Sequence, residues 1–108
     1  MFLDFMKRYG KMKKANFPQR LYDYDIEQIV QYENQIVEEY GFTKKQMRII
    51  AKTKPLVFLF DEEYEKNKTG IKAVQKVFCE DLGFSKEDVK IVVARYPPIL
   101  SKSEKEIH

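Results

Sequence analysis

A 17-residue pattern occurs twice in this chain, at residues 41–57 and 83–99, and it constrains the fold more than any other feature. The two copies are offset by 42 residues without a gap, and five of the 17 aligned pairs are identical. Most other pairs are conservative, such as Thr43 with Ser85. A repeat period between about 20 and 50 residues is typical of stacked supersecondary units. The sequence therefore predicts a short helical array.

Each copy contains the signals that begin and end a short helix. Thr43 and Ser85 each precede a capping-box partner by three residues, which is typical of a helix N-terminus. Pro55 and Pro97 end these helices, because proline lacks a backbone N–H and disfavours helical geometry in the residue before it. We expect the short apolar run after each proline to form a buried turn or a 3₁₀ segment.

A longer helix is predicted before the first copy. Apolar residues recur at helical spacing between residues 25 and 40. Asp23 or Asp25 is the expected N-cap, and Gly41 is the expected C-terminal stop.

A second helical pattern runs from residue 62 to residue 82. Gly70 weakens this pattern near its front, so a start at Thr69 is the alternative. The expected inner face consists of Ile71, Val74, Val77, Phe78 and Leu82. Residues 101–107 have the pattern that opens one more helix.

Size and composition limit the class of protein. A chain of 108 residues forms one domain at most. The single cysteine, Cys79, excludes an internal disulfide. No apolar run approaches the roughly 18 residues that a membrane span requires, so we expect no membrane span.

Basic charge is concentrated at the N-terminus. Residues 1–20 carry a net charge of +5, whereas the rest of the chain carries −2. We predict a basic N-terminal arm at 1–22 and a helical-repeat domain at 23–108. In that domain, repeat one spans about 41–82 and an incomplete repeat two spans about 83–108. The arm is partly similar to a mitochondrial presequence, but Asp4 and the absence of serine favour an uncleaved arm.

Residues 82–89 (LGFSKEDV), 91–92 (IV) and 95–101 (RYPPILS) together resemble the repeat motif of the mitochondrial transcription termination factor family, mTERF. The first copy resembles this motif more loosely, with Tyr40 where leucine is usual and with a single proline. The resemblance covers residues 24–107, including a stretch similar to the long connecting helix of the family.

This resemblance implies an all-α fold: a solenoid-like array of helix pairs in which the short helices end at prolines. It also implies a mitochondrial or plastid protein that binds nucleic acid and acts in transcription, translation or ribosome assembly. Family members normally have more repeats, and a more basic repeat body, than this chain. We therefore expect a mitochondrial protein, in the matrix or on the matrix side of a complex.

Basic residues that recur with the repeat form a candidate binding surface. Lys44, Arg48 and Lys52 are spaced by four and so share one helix face. Lys86 and Lys90 occupy the equivalent positions in the second copy, where an alanine replaces the third. Such a row is able to follow a phosphate backbone. The alternative is an ordinary solvated helix face.

The arm supplies a second set of candidate binding residues. Aromatic side chains interleaved with basic ones are able to stack on RNA bases or enter a groove. Attachment to a protein partner is the alternative. The basic residues of the arm are Lys7, Arg8, Lys11, Lys13 and Lys14.

No catalytic residue, metal or cofactor is predicted. His108 is the only histidine, so it has no second member for a relay or metal cluster. We expect Cys79 to be a small core residue. The acidic residues at 61–65 are expected at a helix N-terminus, where the helix dipole favours negative charge.

Two functions remain. The chain is either an accessory structural subunit of a larger mitochondrial assembly, such as the mitochondrial ribosome or a respiratory-chain complex, or a regulator that binds DNA or RNA. The acidic repeat body and the small number of repeats favour the subunit, whose partners are the proteins of that complex. Because solenoids usually need about three repeats for stability, we do not expect an isolated monomer.

Overall fold

The structure, a computed structural model, describes residues 1–107, and its regular secondary structure is helical. The all-α class is therefore confirmed. Within this range no strand forms, apart from one isolated bridge between Thr69 and Ser103. The α-helices are α1 (Phe2–Tyr9), α2 (Ile26–Tyr40), α3 (Lys44–Thr53), α4 (Phe60–Asn67), α5 (Ile71–Gln75), α6 (Lys86–Arg95) and α7 (Glu104–Ile107).

Shorter helical segments connect these helices. The 3₁₀ turns are Lys14–Asn16, Gln19–Asp23, Pro55–Leu59 and Pro97–Ser101. A π-helical segment, Lys76–Asp81, continues α5. The two proline-led 3₁₀ turns confirm the prediction for the apolar runs that follow Pro55 and Pro97.

The two copies of the sequence pattern have the same local structure. Thr43 and Ser85 each accept a hydrogen bond from the backbone N–H three residues later, and each completes a capping box. Both helices have ten residues and end at nearly the same backbone angles. Lys54 has φ −136° and ψ 77°, and Tyr96 has φ −138° and ψ 70°. The repeat in the sequence is therefore a repeat of local conformation.

Helix α2 begins and ends where its capping residues predict. Asp25, not Asp23, is the N-cap, and it forms a capping box with Gln28. Gly41 ends the helix in the left-handed region at φ 72°, where glycine avoids the strain that a Cβ atom introduces.

The predicted helix over residues 62–82 is broken. Lys68 at φ 52° and Gly70 at φ 90° interrupt it, so that α4 and α5 are separate helices. Leu82 was expected on the inner face and that expectation is wrong, since its side chain is 55% exposed. Its N–H donates to the Val77 carbonyl five residues earlier, and this wider turn rotates Leu82 away from the core.

The first 22 residues, expected as a basic arm, contribute side chains to the core that the helices share. Phe5 is fully buried, and its ring lies 5.1 Å from that of Phe17 and 5.7 Å from that of Phe58. Tyr9 and Leu21 are also buried in this core. The N-terminal segment therefore folds against the body.

Helix α3 lies at the centre of the molecule. It contacts α1, α6 and both proline-led turns. Its inner residues Met47, Ile50 and Ala51 are buried. The two repeat helices thus share one interior with the N-terminal segment.

Replacing Phe5 with alanine tests this role of the N-terminal segment. We expect Phe5→Ala to lower the free energy of unfolding by about 3–5 kcal/mol, because it leaves a cavity among Tyr9, Phe17 and Phe58. Leu3→Ala is the matched control, since Leu3 is 67% exposed, and should cost less than about 0.5 kcal/mol. Urea unfolding measures both. Equal effects would show that the segment does not support the core.

Candidate binding surfaces

The basic row of α3 faces solvent. Lys44, Arg48 and Lys52 are all exposed, on the side of the helix away from Met47 and Ile50. Among residues 1–107, no carboxylate forms an ion pair with any of the three. These positive charges are therefore available to a ligand.

The structure places the end of α1 beside this row. A cleft of about 210 Å³ is lined by Arg8, Tyr9, Glu33, Lys44 and Arg48. Farther along, a Cβ atom placed on Gly10 would lie 3.5 Å from the Nζ atom of Lys52. Arg8 and Gly10 at the end of α1 are thus neighbours of the basic residues of the first repeat, which the sequence pattern did not reveal.

Arg8 forms an ion pair with another residue of the chain. Its guanidinium donates a hydrogen bond to the carboxylate of Glu33 on α2, and this bond raises the pKa of Arg8. Its Nε donates to the Tyr9 hydroxyl at 3.2 Å. Burial raises the pKa of Tyr9 above its ordinary value, and the charge of Glu33 adds to that effect. Arg8 therefore joins α1 to α2.

Arg20 connects the N-terminal segment to α4 in the same way. It donates to Glu63 at 2.9 Å and also pairs with Glu62. Burial opposes its charge, but the two carboxylates outweigh burial and raise the pKa of Arg20. The Glu63 side chain is 8% exposed and also accepts from the Asn67 amide at 2.9 Å. The prediction of acidic residues at a helix N-terminus is confirmed by the first turn of α4. Two of these residues, Glu62 and Glu63, also bind the Arg20 guanidinium.

The remaining basic residues of the N-terminal segment are exposed. In the part of the chain that the structure describes, none of them forms an ion pair. They are Lys7, Lys11, Lys13 and Lys14. The N-terminal segment therefore keeps four exposed, unpaired lysines, while its two arginines form ion pairs with α2 and α4.

The second copy does not reproduce a row of unpaired charges. Lys86 is exposed, whereas the Lys90 amine pairs with the Glu87 carboxylate at 3.1 Å. Lys90 also lies against the first repeat, since a Cβ atom on Gly41 would come within 2.9 Å of its Nζ. Lys90 is therefore partly neutralised and sits at the contact between the copies.

Three large apolar side chains are exposed on α6 and the turn that leads into it. Leu82 is 55% exposed, Phe84 41% and Ile91 51%. We call these three residues the end patch. The Phe84 ring contacts the Phe78 ring at 5.2 Å, which leaves its other side open. Apolar area of this kind on adjoining elements indicates an interaction surface.

Two of the three equivalent residues of the first copy are covered, whereas Ile49, which aligns with Ile91, is partly buried. Tyr40 and Phe42, which align with Leu82 and Phe84, are only 6% and 3% exposed. They stack on each other with ring centroids 6.1 Å apart. The space beside them is lined by Gln75, Lys86, Val89 and Lys90, all from the second half of the chain. One side of the first copy is thus closed by the second. The repeat alignment alone pairs these positions, but it cannot show which of them are covered.

The described residues form no cluster suited to metal binding. Within 1–107, no group of three His, Cys, Asp or Glu side chains is placed to hold a metal ion. His108 lies outside the described residues, so the prediction that it takes part in no relay or metal cluster stays a prediction. Cys79 is half-buried and packs against the core. No helix formed by residues 1–107 has the length and apolar character that a bilayer crossing requires.

No protein-family model, curated protein or solved structure matches this chain.

Replacing Arg20 tests whether it holds the N-terminal segment in place. We expect Arg20→Met to lower the free energy of unfolding by about 1–3 kcal/mol, because it leaves the Glu63 carboxylate buried without its cation. Lys14→Met removes the same charge from an exposed, unpaired residue and should cost less than about 0.5 kcal/mol.

Chemical denaturation of these variants, with Glu63→Gln and the double variant, completes the cycle. The double variant should lose less than the sum of the single losses, since the two side chains interact. Additive losses would mean that the ion pair does not stabilise the fold.

Proposed function

We propose that this chain is a non-catalytic helical-repeat protein that serves as an accessory structural subunit of a larger mitochondrial assembly, such as the mitochondrial ribosome or a respiratory-chain complex. The proposal includes a solenoid-like stacking of mTERF-type helix pairs. The mitochondrial matrix location depends on the sequence resemblance alone. The end patch is the observation that carries the docking role.

The difference in exposure between the two copies supports a docking role for the end patch. The second half of the chain covers Tyr40 and Phe42, while Leu82 and Phe84 at the same repeat positions remain exposed. In an array, the side of each unit is closed by the next one. The second copy therefore presents a side that a neighbour would close.

The energy available at the end patch suits a subunit contact. Full burial of one large apolar side chain contributes about 1.5–3 kcal/mol. Three half-exposed side chains thus provide a few kcal/mol, which a neighbour supplements with further contacts. Exposed apolar residues of this kind do not neutralise phosphates, but they suit contact with a protein surface.

Native purification of the tagged chain tests this function. We expect the wild-type chain to travel in a defined protein complex that survives nuclease treatment. Ile91→Asp should move it to the free fraction, because burying a carboxylate in an apolar contact is costly. Leu3→Asp is the matched control, since it makes the same kind of change at another exposed apolar residue, and it should leave the complex intact. Loss of every companion after nuclease would contradict the proposal.

A second candidate function is binding of RNA or DNA through the basic surface. The observation that favours it is the row of three exposed, unpaired basic residues on α3. Gly10 lies beside Lys52, and the exposed lysines at 11, 13 and 14 follow Gly10 in the chain. Phosphate neutralisation by such residues is sequence-independent and depends on salt.

Charge removal on α3 tests this second function. We expect Lys44→Gln, Arg48→Gln and Lys52→Gln each to weaken binding of a double-stranded RNA or DNA probe, and to reduce the slope of log K against log salt by about one. Lys66→Gln on α4 is the control and should leave the slope unchanged. Fluorescence anisotropy at several salt concentrations measures these slopes. Identical slopes for all four variants would exclude this surface.

A further inference from the structure

The outer face of α6 has a symmetric arrangement of charge around Ile91. Glu87 lies one helical turn before Ile91, and Arg95 lies one turn after it. Residues four apart share a helix face and are separated by about 6 Å along the helix axis. Glu87 pairs with Lys90 but is 78% exposed, so its carboxylate also faces outward, and Ala94 is a small residue beside Ile91. Along the helix axis, this face therefore carries an acidic, an apolar and a basic residue in that order.

A face with this order is complementary to itself when reversed. If two α6 helices pack antiparallel about a two-fold axis at Ile91, each Glu87 lies opposite the Arg95 of the other copy. The two isoleucines then meet at the axis. Arg95 forms no ion pair with any residue in 1–107, so it is free to make this contact.

The ends of α6 extend the same complementarity. Leu82 and Phe84 precede the helix, and Tyr96, which is 53% exposed, follows it. Antiparallel packing places the first pair of residues from one copy near the tyrosine of the other. Three kinds of contact therefore form in one arrangement: the Glu87–Arg95 pairs, the Ile91 pair, and the packing of Leu82 and Phe84 near Tyr96.

Head-to-tail stacking of copies is disfavoured. The second repeat covers the first with the side of α6 that carries Lys86 and Val89. The equivalent side of α3 carries Lys44 and Met47, and Met47 is only 1% exposed because it is already packed within the chain. A second copy therefore has no exposed apolar residue at that position to offer to the end patch. A closed two-fold contact remains, and such contacts are the most common kind in homo-oligomers.

We propose that the neighbour at the end patch is a second copy of this chain, joined through antiparallel α6 helices with Ile91 on the two-fold axis. This inference rests on the proposed function only in taking the end patch as a docking face. The contact is small, so the dimer dissociates in the micromolar range.

Charge reversal on α6 of the full chain tests the arrangement. Sedimentation equilibrium of the wild-type chain should show a monomer–dimer equilibrium. Glu87→Arg and Arg95→Glu should each weaken dimerisation by about tenfold or more, because each places like charges opposite one another twice in the dimer. The double reversal should restore it to within about threefold. Glu27→Arg on α2 is the control for charge change and should have no effect.

A cross-link gives a second measurement that does not depend on the reversed charges. In a Cys79→Ser background, Ile91→Cys should form a covalent dimer under mild oxidation, since residues on the two-fold axis come within disulfide distance. Glu27→Cys in the same background should remain monomeric. Circular dichroism confirms that each variant is folded.

The outcomes separate this inference from the proposed function. A wild-type chain that stays monomeric at millimolar concentration, with no cross-link at residue 91, overturns the dimer. If Ile91→Asp still releases such a monomer from the native complex, the docking function stands with another protein at the end patch. A dimer that forms while Ile91→Asp leaves the native complex intact supports the inference and overturns docking through this surface.

Discussion

The burial of one face of α3 is the interaction on which the rest of this structure depends. Met47, Ile50 and Ala51 are each no more than 1% exposed, and α1, α6 and both proline-led turns contact the same helix. Without disulfides, a chain of this size relies on such shared burial for stability. The proline-led turns and α6 in turn contact α2, α4 and α5.

Local signals predicted most of the helices because they act over a few residues. The capping boxes at Thr43 and Ser85, the prolines and the glycine at 41 each fix backbone geometry through their own chemistry. The break at Lys68 and Gly70 was predicted only as an alternative helix start at Thr69, and the π-helical segment was missed. Both leave a helical pattern of apolar residues nearly unchanged, and only tertiary packing decides between them and a continuous helix.

The binding surfaces were only partly predictable, since charge in a sequence does not show which charges are paired. Lys44, Arg48 and Lys52 lie on one exposed face, as their spacing indicates. In the sequence, Arg8 and Arg20 cannot be distinguished from the unpaired basic residues, yet both form ion pairs within the fold. The end patch was missed altogether, because exposure differs between two copies whose sequences align.

The π-helical segment Lys76–Asp81 determines the orientation of the residues that follow it, and so which side chains of the second repeat are exposed. Each residue turns an α-helix by about 100°, so one residue more or less in this stretch would re-aim everything that follows it. With a regular α-helical turn, Leu82 would continue the stripe of Val74 and Val77 toward the interior. A change of one residue in the length of this segment would therefore decide whether Leu82 is buried in the core or exposed at the surface.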